Sequence, residues 1–420
     1  MSRRATRRHW PAGLAALGVL ALLLGGTMVW GIGNGDVDGL GPSAPSSTPP
    51  TPKSSAASAA YTPVACVPSQ ATATPAAVPA VRPATRAVNI GFEDLVSTQP
   101  GHLQALEQHL NAVDANAVQI AIGRLDWLAF SWPGHPDRSV DQVFVDGRDL
   151  VQEALDALSC DAQGHRRQVT LSIDALIGRL FTQNPQLAGR NVDGKASTLF
   201  GSVTAWSHGE LGDELVDLAG AVARRFHPDF VNITELMFFT ETYGADDKAD
   251  YLAVTGRSDW PRTADGTIDV NDPSIGAWRS AAVEQVMARV SAATRAAGVP
   301  ASMDVNYPLT AGVAGRPDAG QDAVALLRVT DGLNLWYYPG MLAGSVPGIE
   351  QVDRDFVERY PGRVSVSLGL WFSGHPGIGL EEFRHELGRV DALGVKSVSV
   401  TPASMMTDAR WAVLQQAWAG

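Results

Sequence analysis

The run His227-Pro-Asp-Phe-Val-Asn-Ile-Thr-Glu-Leu-Met-Phe-Phe239 is apolar and β-branched, and it delivers one carboxylate, Glu235, where its strand-like part ends. A carboxylate among apolar neighbours is neutralised by a cation, caps a helix, or acts as a proton donor or nucleophile whose proton affinity the surroundings raise. Arg124 is the cation that would neutralise it. Other acids recur in similar places: Glu93, Asp94, Asp126, Asp174 and Asp304 each lie in or just behind a short apolar run. Two carboxylates of different proton affinity can divide the work of acid and of base or nucleophile, so Glu235, Asp304 and Asp174 are the candidate catalytic residues. Asp304, Asp174 and Asp126 suit hydrogen bonding inside a core equally well.

The elements that must position these groups alternate between two periodicities. Short β-rich runs occur at Val88 to Phe92, Ala117 to Ile122, Gln168 to Ile173, Phe230 to Leu236, Ala301 to Asn306, Gly332 to Tyr337, Arg363 to Leu370 and Ser397 to Thr401. Helical patterns such as HLQALEQHLNAV, ELVDLAGAVARRF and EEFRHELGRVDALG lie between them. Such alternation predicts parallel strands joined by right-handed crossovers, and eight units in about 330 residues predict an α/β fold, a (β/α)8 TIM barrel. A doubly wound open sheet is the alternative, but no Gly-x-Gly-x-x-Gly follows the first strand and no Gly-x-x-x-x-Gly-Lys-Ser/Thr occurs. Barrel sites form at the C-terminal strand ends, and the long excursions Leu176 to Trp206 and Thr240 to Trp278 fall on that face.

On this reading Arg124, Asp126, Trp127, Asn306, Tyr307, Trp336, Tyr337 and Trp371 are candidate substrate-binding residues. Trp127, Trp132, Trp206, Trp260, Trp278, Trp336 and Trp371 enrich the same ring in indole, and half of them are expected to be ordinary packing residues. Apolar faces of sugars stack on such rings while acids work on the glycosidic oxygen.

Ahead of the barrel the composition changes. Arg3, Arg4, Arg7 and Arg8 precede a charge-free apolar run from Gly13 to Ile32. A run of that length spans a bilayer core with the arginines left in the cytoplasm, and a cleaved signal peptide is the competing reading. The expected division is a basic cytoplasmic N-terminus over 1–12, a transmembrane signal anchor over 13–32, a disordered Pro/Ser/Ala/Thr-rich linker over 33–86 and the barrel over 87–420. The linker cannot bury enough surface to fold and has a reach on the order of 40 Å. The barrel is then expected outside the cytoplasm, held to the membrane by one helix or secreted if that helix is cleaved. Only two cysteines occur, Cys66 in the linker and Cys160 in the barrel. Either one disulfide ties linker to barrel or both thiols stay free.

The sequence HPDFVNITEL resembles the strand-four signature of the large superfamily of (β/α)8 glycoside hydrolases, in which a strand ends in Asn-Glu and that Glu is the acid/base. Arg124 at strand two and Tyr337 at strand six resemble supporting residues of the same superfamily. Thr234 stands where the Asn would be, with Asn232 two positions earlier. The superfamily's nucleophile is a Glu ending strand seven, and RVSVSLGLWFSGHPG carries no acid. What remains is another carboxylate partner, Asp304 or Asp174, or the substrate's own N-acetyl group as nucleophile, or a domain that binds sugar without cutting it.

The expected activity is hydrolysis of glycosidic bonds in a polysaccharide by carboxylate general acid/base catalysis. The alternative is a noncatalytic carbohydrate-binding or wall-associated module. A net charge of -12 argues against nucleic acid as a partner. No cofactor is expected. No metal is expected either, since the nine histidines show no His-Glu-x-x-His and the acid-rich stretch Asp265 to Asp272 does not match a calcium loop. No Gly-x-Ser-x-Gly elbow lies near a strand end.

Overall fold

The computed structural model describes Cys66 and residues 83–306, 315–341, 354–371 and 377–419. The expected anchor over 13–32, nearly all of the expected linker and Tyr307 lie outside the described residues. Among those described, no helix is long and apolar enough to cross a membrane.

Eight parallel strands form the ring: β1 (Thr85–Ile90), β2 (Ala117–Arg124), β3 (Gln168–Asp174), β4 (Phe230–Thr234), β5 (Ala301–Asn306), β6 (Gly332–Tyr337), β7 (Val364–Gly369) and β8 (Ser397–Thr401). Each pairs with the next, and β1 pairs with both β2, Val88 opposite Val118, and β8, Val88 opposite Val400, so the sheet is closed. Eight helices alternate with the strands: α1 (His102–Ala112), α2 (Leu150–Leu158), α3 (Glu210–Phe226), α4 (Pro273–Arg295), α5 (Ala323–Val329), α6 (Arg354–Arg359), α7 (Leu380–Leu393) and α8 (Asp408–Trp418). In α3 the buried stripe Leu211, Leu215, Leu218, Val222 and Phe226 follows helical spacing and turns one face to the sheet.

Two-residue alternation sorts the strand side chains. In β5, Ala301, Met303 and Val305 are fully buried under the helices, and in β6 Leu333 and Leu335 do the same. The intervening residues point into the barrel and are polar. Gln119 Nε2 and Asn232 Nδ2 donate to Ser172 Oγ at 3.1 and 2.8 Å, and Ser302 Oγ donates to Asn232 Oδ1 at 2.9 Å. Asn334 Nδ2 donates to Asp304 Oδ1 at 3.0 Å, and Ser365 Oγ donates to Asn334 Oδ1 at 3.0 Å. The lumen is thus bound strand to strand by side-chain amides, hydroxyls and one carboxylate, a network in which an unpaired member would be costly.

Cys66 and Cys160 are joined by a disulfide with Cα atoms 5.7 Å apart. It pins Cys66 beside the end of α2 and closes a span of 94 residues. In the chain-entropy view a loop of that size contributes about 3–5 kcal/mol. Cys160→Ser is therefore expected to bring the urea midpoint to lower concentration, and dithiothreitol should reproduce the shift in the parent protein but not in the variant.

The excursions after β3 and β4 pack on each other as a roof beside the barrel mouth. Tyr243 N donates to Arg190 O at 2.7 Å, and Asp247 accepts from Thr204 N and Oγ1 at 3.0 and 3.1 Å. Gly189 is required there, because a Cβ would lie 2.1 Å from Glu241 O. Tyr243, Tyr251, Trp260 and Trp278 form one aromatic cluster, with Trp278 Nε1 donating to Asp250 Oδ2 at 2.7 Å. Trp206 and Trp132 are likewise buried. Four of the seven indoles singled out from the sequence are packing residues for this reason, which leaves Trp127, Trp336 and Trp371 half-buried around the mouth.

Candidate active site

Glu235 follows the last residue of β4 in the left-handed conformation, φ 61°. That backbone costs a non-glycine residue on the order of 1–2 kcal/mol and is found where the surroundings over-determine it. The carboxyl is inside the group formed by Asp174, Arg124 and Asp304, close enough for all three charges to act on it. Its Oε2 atom is buried and has no hydrogen-bond partner among the described residues. Burial first, then the negative charges of Asp174 and Asp304, push its pKa well above the ordinary value, and Arg124 offsets part of the rise.

Asp174 is placed by β3 and buried. It accepts from Arg124 Nε at 3.0 Å and from Leu176 N at 2.7 Å. Burial still raises it above the usual carboxylate range, against the pull of Arg124. Arg124 reaches this partner through a local irregularity: the β2 to β3 register slips between Ala121 and Gly123, so that Arg124 lies opposite Asp174. Without the slip, strand parity would turn Arg124 to the helix side. Gly123 supports it with φ 141°, where a Cβ would meet Trp127 O at 2.5 Å. The guanidinium sits over the Phe92 ring, 5.6 Å from its centroid.

Asp304 is buried on β5 and held by Asn334, and the polar side chains of Thr234, Asn232 and Trp336 act on it to favour its ionised form. Burial raises its pKa to about 6 despite these donors. The three catalytic candidates therefore come together at adjoining strand ends. Glu235, raised well above its ordinary value, and Asp304, raised to about 6, are two carboxyls in different surroundings, and such a pair can divide the roles of acid and base.

The substrate-binding candidates divide. Trp336 points inward from β6, stacked on Tyr338 at 5.2 Å between ring centroids, and the Trp371 ring is tilted against Tyr338 at 5.3 Å. Trp127 closes the β2 end, edge-on to Phe92 at 5.0 Å. Asp126 is buried and accepts from Leu180 N at 3.0 Å, fixing the helix Gly178–Gln183 that follows β3. Asn306 shares Gln321 Oε1 between its backbone N and its Nδ2, at 2.9 and 3.1 Å, and so ties the chain after β5 to the mouth. Tyr337 is not brought to the group. It lies on the helix side of β6, where its hydroxyl donates to Glu386 of α7, a residue that Arg389 also contacts at 3.1 Å.

Tyr338 takes the inward place instead. Burial and the charges of Asp304 and Glu235 raise its pKa well above the usual phenol value, so its hydroxyl is protonated and lies within the influence of both acids. Its ring lies against Gly369 at the end of β7, where an added Cβ would come within 1.9 Å of Tyr338 Cδ1. The position at which a strand-seven acid would stand is thus closed by a phenol ring. The sequence signal for Tyr338 is Asn334: a polar residue between Leu333 and Leu335 marks the even-numbered residues of β6 as inward. The acids behind β1 are engaged elsewhere, Asp94 with His102 Nε2 at 2.9 Å and Glu93 with the Ser404 hydroxyl. Among the described residues no cluster of ligands could hold a metal ion.

A closed parallel ring with carboxylates at its C-terminal mouth defines a (β/α)8 barrel built on the plan of the barrel enzymes. No protein-family model and no curated protein matches the chain. Among solved structures it is similar to the PgaB (BpsB) glycoside hydrolase domain of Bordetella bronchiseptica, with TM-score 0.55 and 14% identity over 80% of this chain and 99% of that one. It is also similar to the catalytic domain of β-amylase from Paenibacillus polymyxa, with TM-score 0.52 and 10% identity over 80% and 98% of the two chains. The β-galactosidase from Marinomonas ef1 matches with TM-score 0.53 and 12% identity, over 79% of this chain and 58% of that one. The chain resembles the (β/α)8 glycoside hydrolases in fold and diverges from them in sequence.

Proposed function

We propose that the barrel hydrolyses glycosidic bonds of a polysaccharide by general acid/base catalysis, with Glu235 as proton donor. The observation that carries this reading is the Glu235 carboxyl, set on its own left-handed backbone at the barrel mouth, lacking a hydrogen-bond partner at Oε2 among the described residues, and within the charge of two more carboxylates. Glu235 gives its proton to the glycosidic oxygen as the bond to the anomeric carbon breaks. Asp304 takes a proton from the water that attacks that carbon, and exchange with solvent restores both groups. Asp174, fixed by Arg124, keeps Glu235 protonated by like charge, and the Tyr338 hydroxyl is a donor for substrate oxygens between the two acids. With Gly369 covered by Tyr338, a covalent intermediate on β7 has no carboxylate to form on.

The pH profile tests these roles. Asp304 must be ionised, so the rate should fall as pH drops through about 6. Glu235 must be protonated, so the rate should fall again as pH rises through its elevated pKa. A bell of kcat/KM on a screened set of polysaccharides, read by reducing-sugar release, is the expected result. Binding of a glycan without turnover at any pH would instead favour the noncatalytic module, the reading to which the missing β7 acid leads.

The placement outside the cytoplasm belongs to the same proposal. It is supported by the basic residues before the apolar run 13–32, and by the Cys66–Cys160 disulfide, a bond that persists in oxidising compartments.

A further inference from the structure

Beside the mouth, on the side of β1 to β3, the chain leaves an open cavity of about 440 Å³, within the range of small-molecule sites. None of the acids discussed above lines it. Trp127 forms one wall, and it is joined to the catalytic group through its register partner Arg124, which holds Asp174. The other walls come from Val96, from the excursion after β2 that carries Asp137, Asp141 and Phe144, and from Arg179 at the start of the helix after β3.

The polar groups of this cavity are unspent. The Arg179 and Asp141 side chains are exposed and make no hydrogen bond or ion pair among the described residues, the Arg179 charge reaching buried Asp126 only at longer range, and the Asp137 side chain meets its neighbour Arg138 at 3.6 Å. Phe144 is 54% exposed on the rim, a large aromatic ring facing water. An indole wall, a second open ring, and a cation and carboxylate free to hydrogen-bond are the chemistry that recognises a sugar, which has an apolar face and a belt of hydroxyls. Asp141, with Asp137 partly offset by Arg138, faces one guanidinium, so the lining offers a uronic acid no net attraction while a sugar without a carboxylate is not penalised.

We propose that this cavity is a second glycan subsite, which takes a carboxylate-free sugar unit of the chain beyond the bond being cut. Trp127 is its stacking wall, and Arg179 and Asp141 bind hydroxyls. The subsite rests on the glycan-hydrolase reading above. It makes the protein a binder of long chains, whose remote units contribute affinity that short ones lack.

The experiment uses the Glu235→Gln protein, so that ligands persist, and titrates it by calorimetry with cello-, chito- and galacturonate oligosaccharides of two and six units. The neutral or N-acetylated hexamer should bind at least about tenfold tighter than its dimer, and the galacturonate hexamer should show no such gain. Arg179→Ala and Asp141→Ala should each remove about tenfold from the hexamer and leave the dimer unchanged, with Trp127→Ala removing as much or more. Arg179 and Asp141 are exposed and Trp127 is half-buried, and melting temperatures equal to the parent's establish that the variants are folded. Hexamer affinity unchanged in folded Arg179→Ala and Asp141→Ala overturns the subsite while leaving the glycan reading intact. A parent that binds none of the oligosaccharides, at either length, overturns both.

Discussion

Glu235→Gln should reduce hydrolysis by about 10² to 10⁴-fold, the range that a positioned proton donor supplies, with the fold retained. Carboxyl and carboxamide have the same shape, so the left-handed backbone at φ 61° and the packing around it are undisturbed. The proton is what is lost. Stability separates this from a general weakening. A carboxyl whose folded pKa is raised is favoured in its neutral form, so the folded state loses stability relative to the unfolded one as pH rises above about 4.5, the range where the unfolded chain ionises. Glutamine escapes that loss. The variant should therefore melt higher than the parent at pH 8 and alongside it near pH 3, while being inactive at both. A variant that melts lower at pH 8, or that keeps the alkaline limb of the rate profile, would remove Glu235 from the role of buried acid.

The strands were legible because period-two alternation is enforced by the helices on one side and the polar lumen on the other. Ser302, Asp304 and Asn306 interleaved with Ala301, Met303 and Val305 can be read as a half-buried strand with no further information. Parity at the strand ends was harder, since Trp336, Tyr337 and Tyr338 are all aromatic and only counting back to Asn334 separates the lumen side from the helix side. Arg124 was legible as a type and not as a direction, because the register slip beside Gly123 that turns it inward depends on pairing with β3. Tryptophans resist reading for a different reason. Trp260 and Trp278 serve the roof formed by two long excursions, and loop sequence does not encode which loops will meet. The disulfide is a third case: spacing permits a bond between Cys66 and Cys160, but only the path of the chain beside α2 brings them within reach.

Asp304→Asn should abolish turnover to a similar extent, about 10² to 10⁴-fold, with the fold retained. In the parent, Asp304 accepts from Asn334 Nδ2 at 3.0 Å. An asparagine keeps one acceptor oxygen for that donor, as a protonated carboxyl does. A carboxyl raised from 3.8 to about 6 by burial, its donors already included, is disfavoured in the fold at neutral pH by about 3 kcal/mol, and the amide is relieved of it. Below the ordinary carboxyl range the parent is protonated in both states and the relief disappears. The variant should therefore melt above the parent at pH 7 and alongside it near pH 3. Loss of activity at pH 7 without loss of stability identifies Asp304 as an ionised base in a polar barrel lumen. Equal destabilisation at both values would make it a structural acceptor and transfer the base to Asp174, whose substitution would then remove the acid limb of the profile instead.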